Sequence, residues 1–150
     1  MKAANHSIKQ TCIEVQGIDH VVLRVRDLAA SVAFYTSVLG MSVARERPDL
    51  GLIHLRAGAS MLDLVAVDGP LGQKGGAAAE PTGRNLDHLC LRVEPFDERV
   101  IQVHLSAQGV ALPEPAAARF GAEGIGPSLY IQDPDGNIIE LKGSPAGKGA

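Results

Sequence analysis

The chain of 150 residues is 45% hydrophobic and 21% charged, proportions that are typical of a folded domain with its own core. A net charge of −3 with interspersed signs argues against a nucleic-acid partner, because it leaves no basic stripe. No apolar run reaches the roughly 18 residues of a membrane span, and the N-terminus lacks the apolar part of a signal peptide. Since two cysteines make no disulfide framework, we expect a cytoplasmic protein without membrane association.

The first predicted strand occurs twice in the chain. Residues 18–25 read IDHVVLRV and residues 86–93 read LDHLCLRV, and five of the eight positions are identical. Because side chains alternate along a strand, the apolar residues of each copy share one face, which a helix must cover. His20 and His88 then occupy the opposite face.

A helix and three strands are predicted after the first copy. Asp27 is a suitable N-cap, and Gly40 is suited to follow the last helical turn. The apolar stripe of this helix consists of Leu28, Val32, Tyr35 and Leu39. Strands are predicted around 42–47, at 50–57 and at 61–67, the last two as a hairpin.

The second half repeats this order. Its predicted helix is capped by Asp97 and ends at Gly109, with an apolar stripe of Val100, Ile101 and Leu105. A strand is predicted around 110–113. A hairpin follows, with strands at 126–132 and 137–143 and a type I turn at Asp-Pro-Asp-Gly between them.

The repeat predicts an α+β fold of two βαβββ modules that form a curved mixed sheet around a cleft. An N-terminal extension (1–16) precedes the first module (17–67). Residues 68–85, rich in Gly, Pro and Ala, are interpreted as a flexible linker. The second module (86–143) is followed by a flexible tail (144–150).

Strand alternation also predicts a metal site. His20, Asp63, His88 and Glu140 all fall on the strand faces opposite the apolar rows, and the two modules supply matching pairs. If both faces line one cleft, two imidazoles and two carboxylates meet there. Nitrogen and carboxylate ligands without thiolate suit one divalent ion of zinc, nickel, manganese, iron or cobalt.

The same alternation of side chains along the strands predicts further residues in the cleft. His54 matches Tyr130 in the repeat and is interpreted as a general base or a substrate contact. Arg24 and Arg92 share this face, where they either orient an anionic substrate or pair with the carboxylates.

Two more features lie close to the second copy. Arg119 and Glu123 occupy a Gly/Ala-rich segment that is expected to form a loop, with Arg119 as a substrate contact. Cys90, between His88 and Arg92, is expected to be a small buried thiol.

The segments IDHVVLRVRDLAASVAFYTSVLGM, LDHLCLRV and DPDGNIIEL resemble the vicinal oxygen chelate superfamily over about residues 17–143. This superfamily includes glyoxalase I, extradiol dioxygenases, bleomycin-binding proteins and fosfomycin-resistance enzymes. The resemblance implies one divalent metal per cleft, with ligands that match His20, His88 and Glu140. Asp63 stands where glyoxalase I-like proteins have Glu or Gln. It is therefore expected to bind the metal directly, to bind it through a water molecule, or to contact the residues that bind it.

The resemblance favours a glyoxalase-like lyase or isomerase. A small substrate with two vicinal oxygens would chelate the metal, which stabilises an enediolate as a Lewis acid, with Asp63 or His54 as proton shuttle. The alternatives are an extradiol-type dioxygenase and a fosfomycin-type thiol transferase, for which Ser128 and Tyr130 match substrate contacts. The non-enzymatic alternative is a ligand-sequestering protein of the bleomycin-resistance type. We expect a homodimer.

Overall fold

The βαβββ order appears twice in a computed structural model of the chain, which describes residues 12–145. The first module contains β1 His20–Val25, α1 Leu28–Ala33, β2 Ser42–Arg47, β3 Leu52–Ala57 and β4 Ser60–Ala66. The second contains β5 His88–Arg92, α2 Glu98–Ala107, β6 Ala117–Gly121, β7 Gly124–Gln132 and β8 Ile138–Lys142. Most of the predicted N-terminal extension and tail lies outside the described residues. No helix within residues 12–145 is long and apolar enough to cross a membrane.

Each module forms its own four-stranded mixed sheet. The strand orders are β1-β4-β3-β2 and β5-β8-β7-β6, with β1–β4 and β5–β8 parallel and the other pairs antiparallel. The predicted fold class is confirmed. β1 and β5, which carry the two histidines of the repeat, are edge strands of their sheets.

The predicted helix caps are present. Asp27 accepts a hydrogen bond from the Ala30 amide, and Asp97 accepts one from the Val100 amide. The first helix continues beyond Ala33 as a π-helical turn, Phe34–Val38. In α2, Leu105 is buried, but Val100 is 63% exposed, so its assignment to the buried stripe is wrong.

The strand predicted at 110–113 is wrong, because the pairing with β7 begins only at Ala117. Pro113 and Pro115 explain the difference. Neither residue can donate a backbone hydrogen bond to a strand ladder, so regular pairing starts after them. The strand that results includes Arg119, which therefore lies in β6 and not in a loop.

The segment between the modules, for which composition predicts a flexible linker, is contacted by side chains of the first module. Arg24 donates hydrogen bonds to the carbonyl groups of Gly72 (3.1 Å), Gly75 (3.0 Å) and Ala77 (3.1 Å). A side chain at position 75 would displace the Arg24 guanidinium, because its Cβ would lie 2.6 Å from Arg24 Cζ. A guanidinium with five donors can fix a segment that has no core of its own.

The helix-facing sides of both sheets share one hydrophobic core. They also line one cavity of about 420 Å³, with Val21 and Leu62 from the first module and Leu89 and Leu141 from the second. Because the apolar faces meet between the modules, the polar faces of the two sheets point away from each other.

A buried hydrogen bond joins the modules within this core. Tyr35 of the first module is fully buried, and its hydroxyl donates to Asp133 Oδ2 at 2.7 Å in the turn before β8. Burial, together with the charge of Asp133, raises the pKa of Tyr35, so the phenol keeps its proton and remains a donor.

Replacing Tyr35 with Phe is expected to lower the free energy of unfolding by about 1.5 kcal/mol, the lower end of the range for a hydrogen bond to a charged acceptor. The lower end applies because Asn137 Nδ2 still donates to Asp133 Oδ2 at 2.8 Å. Urea unfolding measures the change, with Tyr130→Phe as the matched control at a partly exposed phenol. Equal losses for the two variants would contradict the role of the bond.

Candidate functional site

The polar face of the second sheet brings a histidine and a carboxylate together. His88 Nε2 lies 3.2 Å from Glu140 Oε2. The register of the parallel pair places Cys90 opposite Glu140, and that of the hairpin places Tyr130 on its other side. His88 and Glu140 line a cavity of about 340 Å³ between β5, β8 and the β6–β7 hairpin.

Glu140 has the surroundings of a metal ligand. Its side chain is almost fully buried, and its Oε1 atom accepts no hydrogen bond from the described residues. A buried carboxylate oxygen without a partner costs free energy unless a cation or a donor reaches it. Glu140 and His88 supply the oxygen and nitrogen donors that zinc and similar divalent ions take, so the residues fit the metal that was expected.

The polar face of the first sheet carries a related group. Asp63 on β4 is 6% exposed, and His54 on β3 is its cross-strand neighbour. His54 Nδ1 lies 2.9 Å from Asp63 Oδ1, but the two atoms are not aligned for a hydrogen bond, since Oδ1 has no such partner in the described structure. His20, with its side chain 49% exposed, lies on the neighbouring edge strand.

Each histidine of the repeat is held by the aspartate before it. Asp19 Oδ1 lies 2.6 Å from His20 Nδ1, and Asp87 Oδ2 lies 2.7 Å from His88 Nδ1. The bond with Asp19 raises the pKa of His20. A carboxylate on Nδ1 leaves Nε2 free for a metal, which is how ligating histidines are commonly oriented. These aspartates were not predicted as site residues, although the repeat contains both.

Four residues were expected to contact substrate on the second module. Ser128 is fully buried, and its Oγ lies 3.2 Å from Arg119 Nη1. The Arg119 guanidinium stacks on the Tyr130 ring at 4.6 Å, and that ring meets His88 edge-on at 5.6 Å. These three residues therefore form a chain of contacts that ends at the His88 ring. Arg92 pairs with Glu94 at 3.0 Å and with Glu123 at 3.2 Å.

Cys90 is exposed on the cavity face, and its predicted burial is wrong. Even so, partial burial of the thiol and the neighbouring Glu140 raise its pKa from 9.0 to about 11. At pH 8 this shift makes the reactive thiolate about a hundredfold scarcer than in an unperturbed thiol.

In a Cys12→Ser background, iodoacetamide is expected to alkylate Cys90 slowly, at a rate that keeps rising up to about pH 11. Mass spectrometry at a series of pH values measures the rate. Glu140→Gln should raise the rate at pH 8, because it removes one cause of the shift. A rate that levels off near pH 9 would contradict the prediction.

The four predicted ligands do not meet in one cleft of a single chain. Within residues 12–145, no three His, Cys, Asp or Glu side chains lie close enough together to hold a metal ion. His88 and Glu140 form one pair, and His20 and Asp63 lie on the other sheet. We expected the polar faces of both modules to line one cleft. That expectation is wrong for a single chain, because the modules pack through their apolar faces. The Arg24 guanidinium donates to the linker carbonyl groups and not to Asp63 or Glu140 within the described residues.

The sequence pattern that defines the Glyoxalase/Bleomycin resistance protein/Dioxygenase superfamily matches residues 17–141. The chain belongs to this superfamily. The matched range begins before β1 and ends within β8, and it contains His20, Asp63, His88 and Glu140.

Members of this superfamily resemble the chain over most of its length. It is 32% identical over 141 residues to virulence protein STM3117 of Salmonella typhimurium, covering 94% of this chain and 92% of the relative. It is 31% identical over 135 residues to lactoylglutathione lyase of the same organism, covering 87% and 95%. The solved structure of the Vibrio cholerae integron cassette protein VCH_CASS1 superposes with a TM-score of 0.72 at 28% identity, covering 90% of this chain and 100% of that protein.

Proposed function

We propose that this superfamily member is a metal-dependent lyase or isomerase of the glyoxalase type, acting on a small substrate with two vicinal oxygens. The observation that carries the proposal is the buried Glu140, which has one oxygen without a hydrogen-bond partner in residues 12–145 and the other 3.2 Å from His88 Nε2. The similarity to lactoylglutathione lyase supports this reaction class over the dioxygenase and thiol-transferase alternatives.

The complete site would contain His88 and Glu140 of one copy with His20 and Asp63 of a second copy. Two observations support a shared site: no three potential ligands lie together within residues 12–145, and both histidines stand on the edge strands of their sheets. A two-fold dimer that joins the first sheet of one copy to the second sheet of the other makes two equal sites. The proposed homodimer is therefore needed for function.

A divalent ion at these residues would supply Lewis-acid stabilisation of negative charge on the substrate oxygens. The chain's own contribution is proton transfer. Asp63 is buried, and its Oδ1 atom has no hydrogen-bond partner in the described part of the chain. His54 Nδ1 lies 2.9 Å from this oxygen. In our proposal Asp63 accepts the proton from the substrate carbon, and the neighbouring His54 is the alternative proton shuttle.

The test combines metal content with turnover. The purified protein is stripped of metal, reloaded with zinc, nickel, manganese, iron or cobalt in turn, and supplied with the hemithioacetal of methylglyoxal and glutathione. The loaded wild type should form the thioester, and His88→Ala should not. Catechol, and fosfomycin with glutathione, serve as parallel substrates. Turnover of one of these alone, or full metal binding by His88→Ala, would overturn the proposal.

A further inference from the structure

Lys142 is a buried cation that the reaction proposed above does not use. It is 6% exposed, it lines the cavity of His88 and Glu140, and it follows Glu140 by two positions on the same strand face. Its Nζ donates to the carbonyl of Gly126 at 3.2 Å and to that of Arg119. No carboxylate in residues 12–145 lies within 4.0 Å of it. An ammonium group has three donors, so one remains available.

The Lys142 side chain occupies space that is open because residue 121 is glycine. A Cβ at Gly121 would lie 2.5 Å from Lys142 Cε and 3.0 Å from Cδ. The β6–β7 hairpin thus has room for the aliphatic part of Lys142 because position 121 is glycine. A larger residue there would displace the lysine side chain. The ammonium group is held in position by two backbone carbonyls, so it is placed before a ligand arrives.

The charge around the cavity becomes positive when a metal is bound. The charged lining residues are Arg92, Glu123, Glu140 and Lys142, together neutral. Arg92 is committed to Glu94 and Glu123. If Glu140 binds a divalent ion, neither carboxylate that lines the cavity is left to neutralise the charge of Lys142. An uncompensated buried ammonium costs free energy, and an anionic ligand would remove that cost.

We propose that the substrate carries a carboxylate in addition to its two metal-binding oxygens, and that Lys142 binds this carboxylate. The inference rests on the proposed function, because it uses the metal at Glu140. One available N–H suits a single carboxylate better than a phosphoryl group, which needs several donors. The two positions that separate Glu140 from Lys142 along β8 span roughly 7 Å, which places the carboxylate about two or three carbons from the chelating oxygens.

Two hydroxamates that differ only in a terminal carboxylate test the inference. Butyrohydroxamic acid and succinic acid monohydroxamate both present vicinal oxygens to a metal, and only the second carries the carboxylate. Isothermal titration calorimetry with the nickel-loaded protein should show the carboxylated probe binding at least tenfold more tightly. Lys142→Met should abolish this preference and leave the affinity for the neutral probe unchanged.

Two further variants separate the contact from general effects. Arg99→Met removes one positive charge from α2, on the opposite side of the sheet, and should keep the full preference. Gly121→Ala keeps the charge of Lys142 but displaces its side chain, and should reduce the preference. The inference is overturned alone if the neutral probe binds and the carboxylated probe gains nothing, or if Lys142→Met keeps the gain. If neither probe binds to the metal-loaded protein, the proposed function and this inference both fail.

Discussion

Replacing Glu140 with Gln is expected to lower the affinity for a divalent metal ion by more than a hundredfold. The change keeps the shape of the buried side chain but removes the negative charge of the carboxylate. Its Oε1 atom has no hydrogen-bond partner among the described residues. Loss of an outer partner of a metal site costs about 10–100-fold, and loss of a direct ligand should exceed that. Competition with a fluorescent zinc chelator measures the affinity directly.

Asp63→Asn is the informative comparison. If Asp63 acts through water or as a base, its loss should cost about tenfold, within the range of an outer partner. Glu123→Gln is the matched control, since Glu123 lines the same cavity but pairs with Arg92. Equal losses for Glu140→Gln and Asp63→Asn would make Asp63 a full ligand. An unchanged affinity in Glu140→Gln would remove Glu140 from the site.

Mixing two inactive variants is expected to restore metal binding. His20→Ala and His88→Ala should each bind little metal as homodimers, because each lacks a ligand in both sites. In a heterodimer one site loses both histidines, and the other keeps both. Since about half of the dimers in an equal random mixture are heterodimers with one intact site, metal content should recover to about one quarter of wild type.

The mixture is prepared by unfolding and refolding the two variants together, and metal per chain is measured after gel filtration. His88→Ala mixed with Glu140→Gln is the matched control. Both changes lie in the second module, so every site in that mixture stays defective. If the first mixture recovers no metal, the site does not form between two copies. A monomer in light scattering would contradict the shared site in the same way.

The architecture of each module could be predicted from the sequence. The repeat of residues 18–25 at 86–93, the caps at Asp27 and Asp97 and the alternation along the strands are local signals. They depend on backbone geometry within a few residues, and the structure agrees with them. The pairing of His54 with Asp63 and of Tyr130 with Glu140 follows from the same alternation and the hairpin registers.

Local signals failed where contacts distant in sequence decide the outcome. Composition alone predicted a flexible linker, but it gave no indication that Arg24, about fifty residues away in the sequence, donates hydrogen bonds to this segment. Lys142 was not predicted as a site residue, because its burial depends on the space left at Gly121 in another strand.

The sequence by itself determined the two modules and the polar face of each sheet, because strand parity is a property of the chain alone. Only the tertiary structure decided how the modules face each other. Burial of their apolar sides against a common core turns the pair His88 and Glu140 away from Asp63 on the other sheet. This arrangement depends on the total apolar area buried between the modules, which cannot be read from any single segment of the sequence.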